Sequence, residues 1–239
     1  MPLRSENFHL SKREFFDAVY LRYGWLPNRL PEECVCSKSY SVDHALSCKV
    51  GGFIHMRHND ILNITADLLT TVCKDVEKEP MLQPCPVAKD ELRADIAARG
   101  FWQSMQRAFV DVRVFYPFAQ SYRHQSLSAT MKSMEAKKKN KYLKRVLNDE
   151  NGTFTPLVFT SNGGMSKETR RFYIRLAELI AEKSKSSYSE TSAWIKRRLS
   201  FSLIRSSVMC IRGSRSRKYN CPPSVRDLDI NDKLNIISS

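Results

Sequence analysis

Residues 108–115 run Ala108-Phe109-Val110-Asp111-Val112-Arg113-Val114-Phe115, and their character alternates with a period of two. Successive side chains of a pleated strand point to opposite faces. Val110, Val112 and Val114 therefore share one face, and Phe109, Asp111, Arg113 and Phe115 share the other. Asp111 is the odd member. A carboxylate is disfavoured within a strand, and near a core it is costly unless paired or bound to a cation. A second strand-like segment, Arg93–Ala98, carries Asp95, with fifteen residues between the two aspartates. On successive strands the two carboxylates can sit side by side and share a divalent cation. Oxygen donors suit Mg²⁺, which takes one or two carboxylates when a substrate phosphate completes its shell. An ion so placed activates water and stabilises the leaving oxygen in phosphodiester hydrolysis. The competing reading is structural, with Asp95 in an ion pair with Arg93, Arg99 or Arg113.

The next element outward is a long helix, Ser128 to Leu147, whose apolar face is marked by Met131, Met134, Tyr142 and Val146. At about 100° per residue, Lys138 falls near the middle of that face, one turn from both Met134 and Tyr142. Lys137 and Lys144 point to one side and Lys141 lies at the edge. A lysine aimed at the sheet orients a water or neutralises charge developing on phosphate, although snorkelling of Lys138 is the bland alternative. The other cations, Lys137, Lys139, Lys144 and Arg145, form a ridge suited to a DNA backbone.

Upstream lies a cluster of soft ligands: Cys34-x-Cys36, seven residues, His44, three residues, Cys48. A closed Cys3His set suits structural zinc, about one ion per chain. His58 is kept as a substitute ligand or an outer partner of that site. The surrounding stretch, residues 34–58, is too irregular for helical or strand periodicity. Before it, Lys12–Tyr23 reads as a helix followed by a loop with Pro27 and Pro31. After it, Ile61, Ile64, Thr65, Leu68 and Val72 predict a helix capped by Asn59 or Asp60. Thr153–Thr160 predicts a strand and Asn162-Gly163-Gly164 a turn. Two helices follow, Ser166–Lys183 and Ser189–Ile211, the second stopped by Gly213.

The composition sets the class. With 239 residues, 42% hydrophobic and 27% charged, the chain is ordinary globular material. Its net charge of +14 points to a polyanion, nucleic acid before membrane. The longest apolar run, Leu199–Ile211, is broken by Ser200, Ser202, Arg205, Ser206 and Ser207, so no membrane span is expected. The first residues lack a secretory signal. Seven cysteines in irregular spacing do not form a secreted disulfide framework. An intracellular, nuclear protein with reduced cysteines is expected.

In order, Cys34-x-Cys36, His44, Cys48, Arg57-His58-Asn59, Arg93-Ala94-Asp95, Asp111-Val112 and Lys138-x-x-Lys141-Tyr142 resemble one family. That pattern is similar to the restriction-like endonuclease domain at the C-terminal end of non-LTR retrotransposon reverse transcriptases. The likeness extends over roughly residues 10–215 and includes the phrases DHALSCKVGGF, RADIAARGFW and RGSRSR. The resemblance implies an α/β (α+β) fold of the PD-(D/E)xK type: a mixed sheet flanked by helices, with an N-terminal zinc-knuckle segment and C-terminal helices. It divides the chain into a helix and loop (1–33), a zinc knuckle (34–58), a nuclease core (59–165), a helical part (166–213) and a basic, then polar, tail (214–239). It makes Asp95 and Asp111 the Mg²⁺ ligands and Lys138 the catalytic lysine. Lys141 is the second choice for that lysine, and Tyr142 sits close behind. Arg113 stands where the usual lysine of the triplet would be. Cys34, Cys36, His44 and Cys48 become the zinc ligands. The implied activity is nicking of one target-DNA strand. Implied partners are DNA, element RNA and a reverse transcriptase region that this chain does not contain. The alternative is a zinc-stabilised nucleic-acid-binding module without catalysis. A basic scaffold would show neither metal dependence nor salt-sensitive DNA binding.

Overall fold

A computed structural model describes residues 8–83 and 92–213. The helices in it are α1 (Lys12–Tyr23), α2 (Val42–Ser47), α3 (Phe53–Thr70), α4 (Leu127–Asn148), α5 (Lys167–Ser184) and α6 (Tyr188–Arg212). The strands are β1 (Lys74–Lys78), β2 (Ile96–Arg99), β3 (Arg107–Phe115) and β4 (Thr153–Thr160). They form one four-stranded mixed sheet in the order β1-β2-β3-β4. The β1–β2 and β2–β3 pairs are antiparallel, whereas β3 and β4 are parallel. A parallel neighbour needs a crossover rather than a hairpin, and α4 supplies it.

The alternation in β3 explains the layering. Val110, Val112 and Val114 join Ile96, Ala98, Leu157 and Phe159 against apolar residues of α3, α5 and α6, including Ile61, Leu68, Phe172 and Leu199. On the other face Phe109 and Phe154 pack on Tyr142 and Val146 of α4. Phe115 and Val158 pack there on Met131 and Met134. The sheet is thus enclosed between α4 on one side and three helices on the other. Pro156, opposite Asp111 in the β3–β4 register, is tolerated because β4 is an edge strand.

The structure corrects the sequence reading in several places. α3 starts at Phe53, not near Asn59, and its N-cap is Gly52 in the left-handed region at φ 74° with no side-chain cap bond. A diglycine turn, with Gly51 also left-handed at φ 87°, swings the chain into the helix. The helix gains stability from Phe53 and Met56, which pack on Tyr116, Met209 and Ile211. The stretch read as irregular therefore holds α2 and the first turn of α3. β1 was not expected: KDVEK carries no apolar alternation and lies exposed along the sheet edge. β2 is shorter than expected, and Asp95 sits just before it. The basic tail, 214–239, lies outside the described residues.

Candidate functional site

The cysteine–histidine cluster is built by two small motifs. A tight turn carries Cys34 and Cys36, closed by Cys34 N–H to Lys38 O (2.9 Å) and Ser37 N–H to Cys34 O (2.8 Å). Ser37 adopts a left-handed φ of 63° to complete it. α2 supplies the other pair: the Ser41 hydroxyl accepts from His44 N–H at 3.1 Å, and Cys48 N–H donates to His44 O at 2.7 Å. His44 and Cys48 are thereby one helical turn apart. Cys34 Sγ lies 3.9 Å from Cys48 Sγ, and Cys36 Sγ lies 3.2 Å from His44 Nε2. All four ligand atoms fall within 4.8 Å of one another. Tetrahedral zinc with metal–sulfur bonds near 2.3 Å has ligand–ligand edges of about 3.8 Å. The cluster fits that shell. Desolvation pushes the Cys36 thiol up, yet hydrogen bonds from Cys34 and the Lys38 backbone hold it below its ordinary value. Burial pushes Cys48 up.

His58 is not part of that cluster. Its Nε2 lies 3.1 Å from Asp95 Oδ2 and 3.2 Å from Val112 O, and its Nδ1 lies 3.2 Å from Asn59 Oδ1. The reason is geometric: His58 lies in α3 beyond the diglycine turn, and α3 packs on the sheet. Desolvation lowers the imidazole pKa, but the Asp95 carboxylate outweighs it and the net direction is upward.

The two aspartates occupy adjoining positions. Ile96 pairs with Val110, and Asp95 N–H donates to Val110 O at 3.0 Å, so the ladder runs on to set Asp95 beside Asp111. Asp95 Oδ2 accepts from Val112 N–H at 2.5 Å. With Arg99 held by Asp75 at 2.8 Å, the acidic group at Asp95 is partnered by His58. The Asp111 side chain is 2% exposed and its Oδ2 contacts the Lys138 ammonium. Burial raises the Asp111 pKa first and the neighbouring Asp95 charge raises it further, against the pull of Lys138 and a hydrogen bond from Tyr142. Burial and the same carboxylate push the Tyr142 hydroxyl strongly upward. Asp95 and Asp111 thus set two carboxylates side by side, one at the start of β2 and one within β3, the two inner strands of the sheet.

α4 sorts its cations by azimuth. Lys138 reaches Asp111, whereas Lys141 lies over the Tyr142 ring, 4.8 Å from its centroid. Tyr142 itself stacks on Phe154 at 5.1 Å. Lys137 and Lys144 are exposed. Lys139 is paired with Glu168 of α5, and Arg145 Nε donates to Gln83 O at 2.9 Å. Two of the four ridge residues thus already hold intramolecular partners.

Among the described residues, no helix is long and apolar enough to cross a membrane. The chain matches no protein-family model and no curated protein.

Proposed function

We propose that the protein is a metal-dependent DNA endonuclease of the restriction-like, PD-(D/E)xK type, related to non-LTR retrotransposon reverse transcriptases and acting in the nucleus. The observation that carries this reading is the convergence of Asp95 at the start of β2, Asp111 of β3 and Lys138 of the crossover helix beside the two inner strands of the sheet. Asp95 and Asp111 would hold the cation. When bound, Mg²⁺ supplies an activated water and charge stabilisation at the leaving oxygen. Val112 N–H and His58 orient the Asp95 carboxylate, and the Tyr142 hydroxyl orients Asp111. Lys138, beside Asp111, would neutralise the scissile phosphate or hold the attacking water. Lys137 and Lys144 are placed to meet the DNA backbone. Zinc at Cys34, Cys36, His44 and Cys48 would stabilise the segment ahead of α3 without entering the chemistry. A reverse transcriptase region and element RNA are the partners this reading brings with it.

The test is nicking of supercoiled plasmid by purified protein in Mg²⁺ or Mn²⁺. We expect Asp111→Asn and Lys138→Ala each to lower the rate by about a hundredfold or more. Lys144→Ala should mainly weaken DNA binding. Equal losses from Lys138→Ala and Lys144→Ala would refute the division of labour along α4. A second reading is favoured by one observation: each carboxylate already has its own counter-ion, His58 for Asp95 and Lys138 for Asp111. A folded, zinc-loaded, DNA-binding protein without nicking would establish that reading, a binding module whose acids are structural.

A further inference from the structure

α1 is amphipathic the wrong way round. Its two carboxylates, Glu14 and Asp17, are buried, while Phe15, Phe16 and Tyr23 are 55%, 49% and 63% exposed. The acids are held from inside by α6. Arg212 grips Asp17 through bonds of 2.6 and 2.9 Å, and Arg205 Nε lies 3.8 Å from Glu14. Past the helix, Trp25 and Leu26 extend the apolar surface at 55% and 75% exposure. Several large exposed apolar side chains on one short segment mark a contact site, unlike single scattered residues.

The rings are displayed on a rigid mount. Tyr23 and Trp25 stack at 5.0 Å with an interplanar angle of 24°, and Tyr20 braces Trp25 edge-on at 5.8 Å. Gly24 ends the helix at φ 68°, in the left-handed region that glycine tolerates. Trp25 N–H then bonds back to Tyr20 O at 2.8 Å. Arg212 pins the following loop by donating to Asn28 O at 2.8 Å and Arg29 O at 3.2 Å. The aromatic pair is therefore preorganised facing water.

Charge selects the partner. Because the acids of α1 point inward, its outer surface sets Lys12 and Arg22 among the rings with no carboxylate, and Arg29 follows on the pinned loop. The next acids, Glu32 and Glu33, belong to the cysteine loop. Aromatic faces interleaved with cations match a single strand, whose unpaired bases stack on rings while its phosphates meet lysine and arginine. A duplex keeps its base faces inside its own stack. An apolar protein partner gives no reason for the exposed charges of α1 to be cationic while both of its carboxylates are buried.

We propose that α1 and the Tyr23–Trp25 pair form a platform for single-stranded nucleic acid, with the rings stacking bases and Lys12, Arg22 and Arg29 taking phosphates. The platform is separate from the α4 ridge and does not depend on the nuclease reading.

The experiment measures binding of fluorescein-labelled oligothymidylate to the full zinc-loaded chain by anisotropy. Tyr23→Leu with Trp25→Leu keeps apolar area but removes π-faces, and should weaken binding at least about tenfold. Trp25→Phe alone should stay within about threefold, since a phenyl ring still stacks. Unchanged affinity in the double leucine variant overturns the proposal, as do equal losses in the leucine and phenylalanine variants. A changed sedimentation mass with unchanged oligonucleotide affinity identifies a protein-docking face and also overturns it. Should the leucine variant fail to fold, Arg22→Gln with Arg29→Gln carries the test. Its log–log salt slope should fall by about 0.7 for each phosphate that is no longer neutralised, and an unaltered slope refutes the platform.

Discussion

Asp111 shows how a single residue sets stability against function. Its carboxyl is buried beside Asp95 and its pKa is raised, so folding favours the neutral form over the charged one. At neutral pH the isosteric Asp111→Asn should therefore raise Tm, by about 2–4 °C for each kcal/mol regained in a chain of this length, while abolishing nicking. A lower Tm in calorimetry would mean that the Lys138 contact outweighs desolvation. Cys73 offers an independent check on burial, which pushes its thiol up to about 11. Only the thiolate is alkylated, so the labelling of Cys73 in the native protein should climb about tenfold per pH unit until near that value. A plateau near the ordinary thiol range would contradict its burial. The face of β3 that Asp111 takes and the turn of Lys138 towards it were legible from periodicity. His58 was kept open as a substitute ligand or outer partner of the zinc cluster, because spacing places it near the cysteines and cannot show that α3 carries it to Asp95.

At the scale of elements, legibility followed pattern. α4, β3 and β4 carry clear periods of 3.6 or 2 and were expected within a residue or so of where they lie. β1 escaped because a charged edge strand has no buried face to leave an apolar signature. The start of α3 escaped because a glycine cap carries no side-chain signal and because Phe53 and Met56 are stabilised by tertiary contacts with α6. α1 was legible as a helix, but its inverted face was not: KREFFDAVYLRY discloses no burial of Glu14 and Asp17 until Arg205 and Arg212 arrive from α6. Gly152, just before β4, tests how tightly the crossover is closed. A Cβ there would lie 2.8 Å from Arg107 O and 2.9 Å from the Phe109 ring. We expect Gly152→Ala to destabilise by about 1–3 kcal/mol, read as a lower denaturation midpoint. A neutral result would show that the β3–β4 junction yields.

At the scale of the described molecule, the cysteine–histidine segment and the end of α6 pack against each other. The Tyr40 hydroxyl donates to Ile211 O, and Ala45 and Leu46 of α2 pack with Met209, Cys210 and Ile211. Chelation should therefore loosen more than the loop. Hydrogen exchange should accelerate across residues 34–50 and in the last turn of α6, with the central sheet unchanged. Loss of protection confined to the loop would separate the two ends, and no change at all would argue against bound zinc. The amino-acid sequence by itself determined the ligand types, the alternation of β3, the lysine face of α4 and the cationic excess, because these are properties of composition and short-range period. Tertiary structure alone decided that His58 meets Asp95, that Arg212 turns the acids of α1 inward, and that Tyr23 and Trp25 face water. Each of those outcomes depends on contacts between residues far apart in the chain, where local periodicity carries no information.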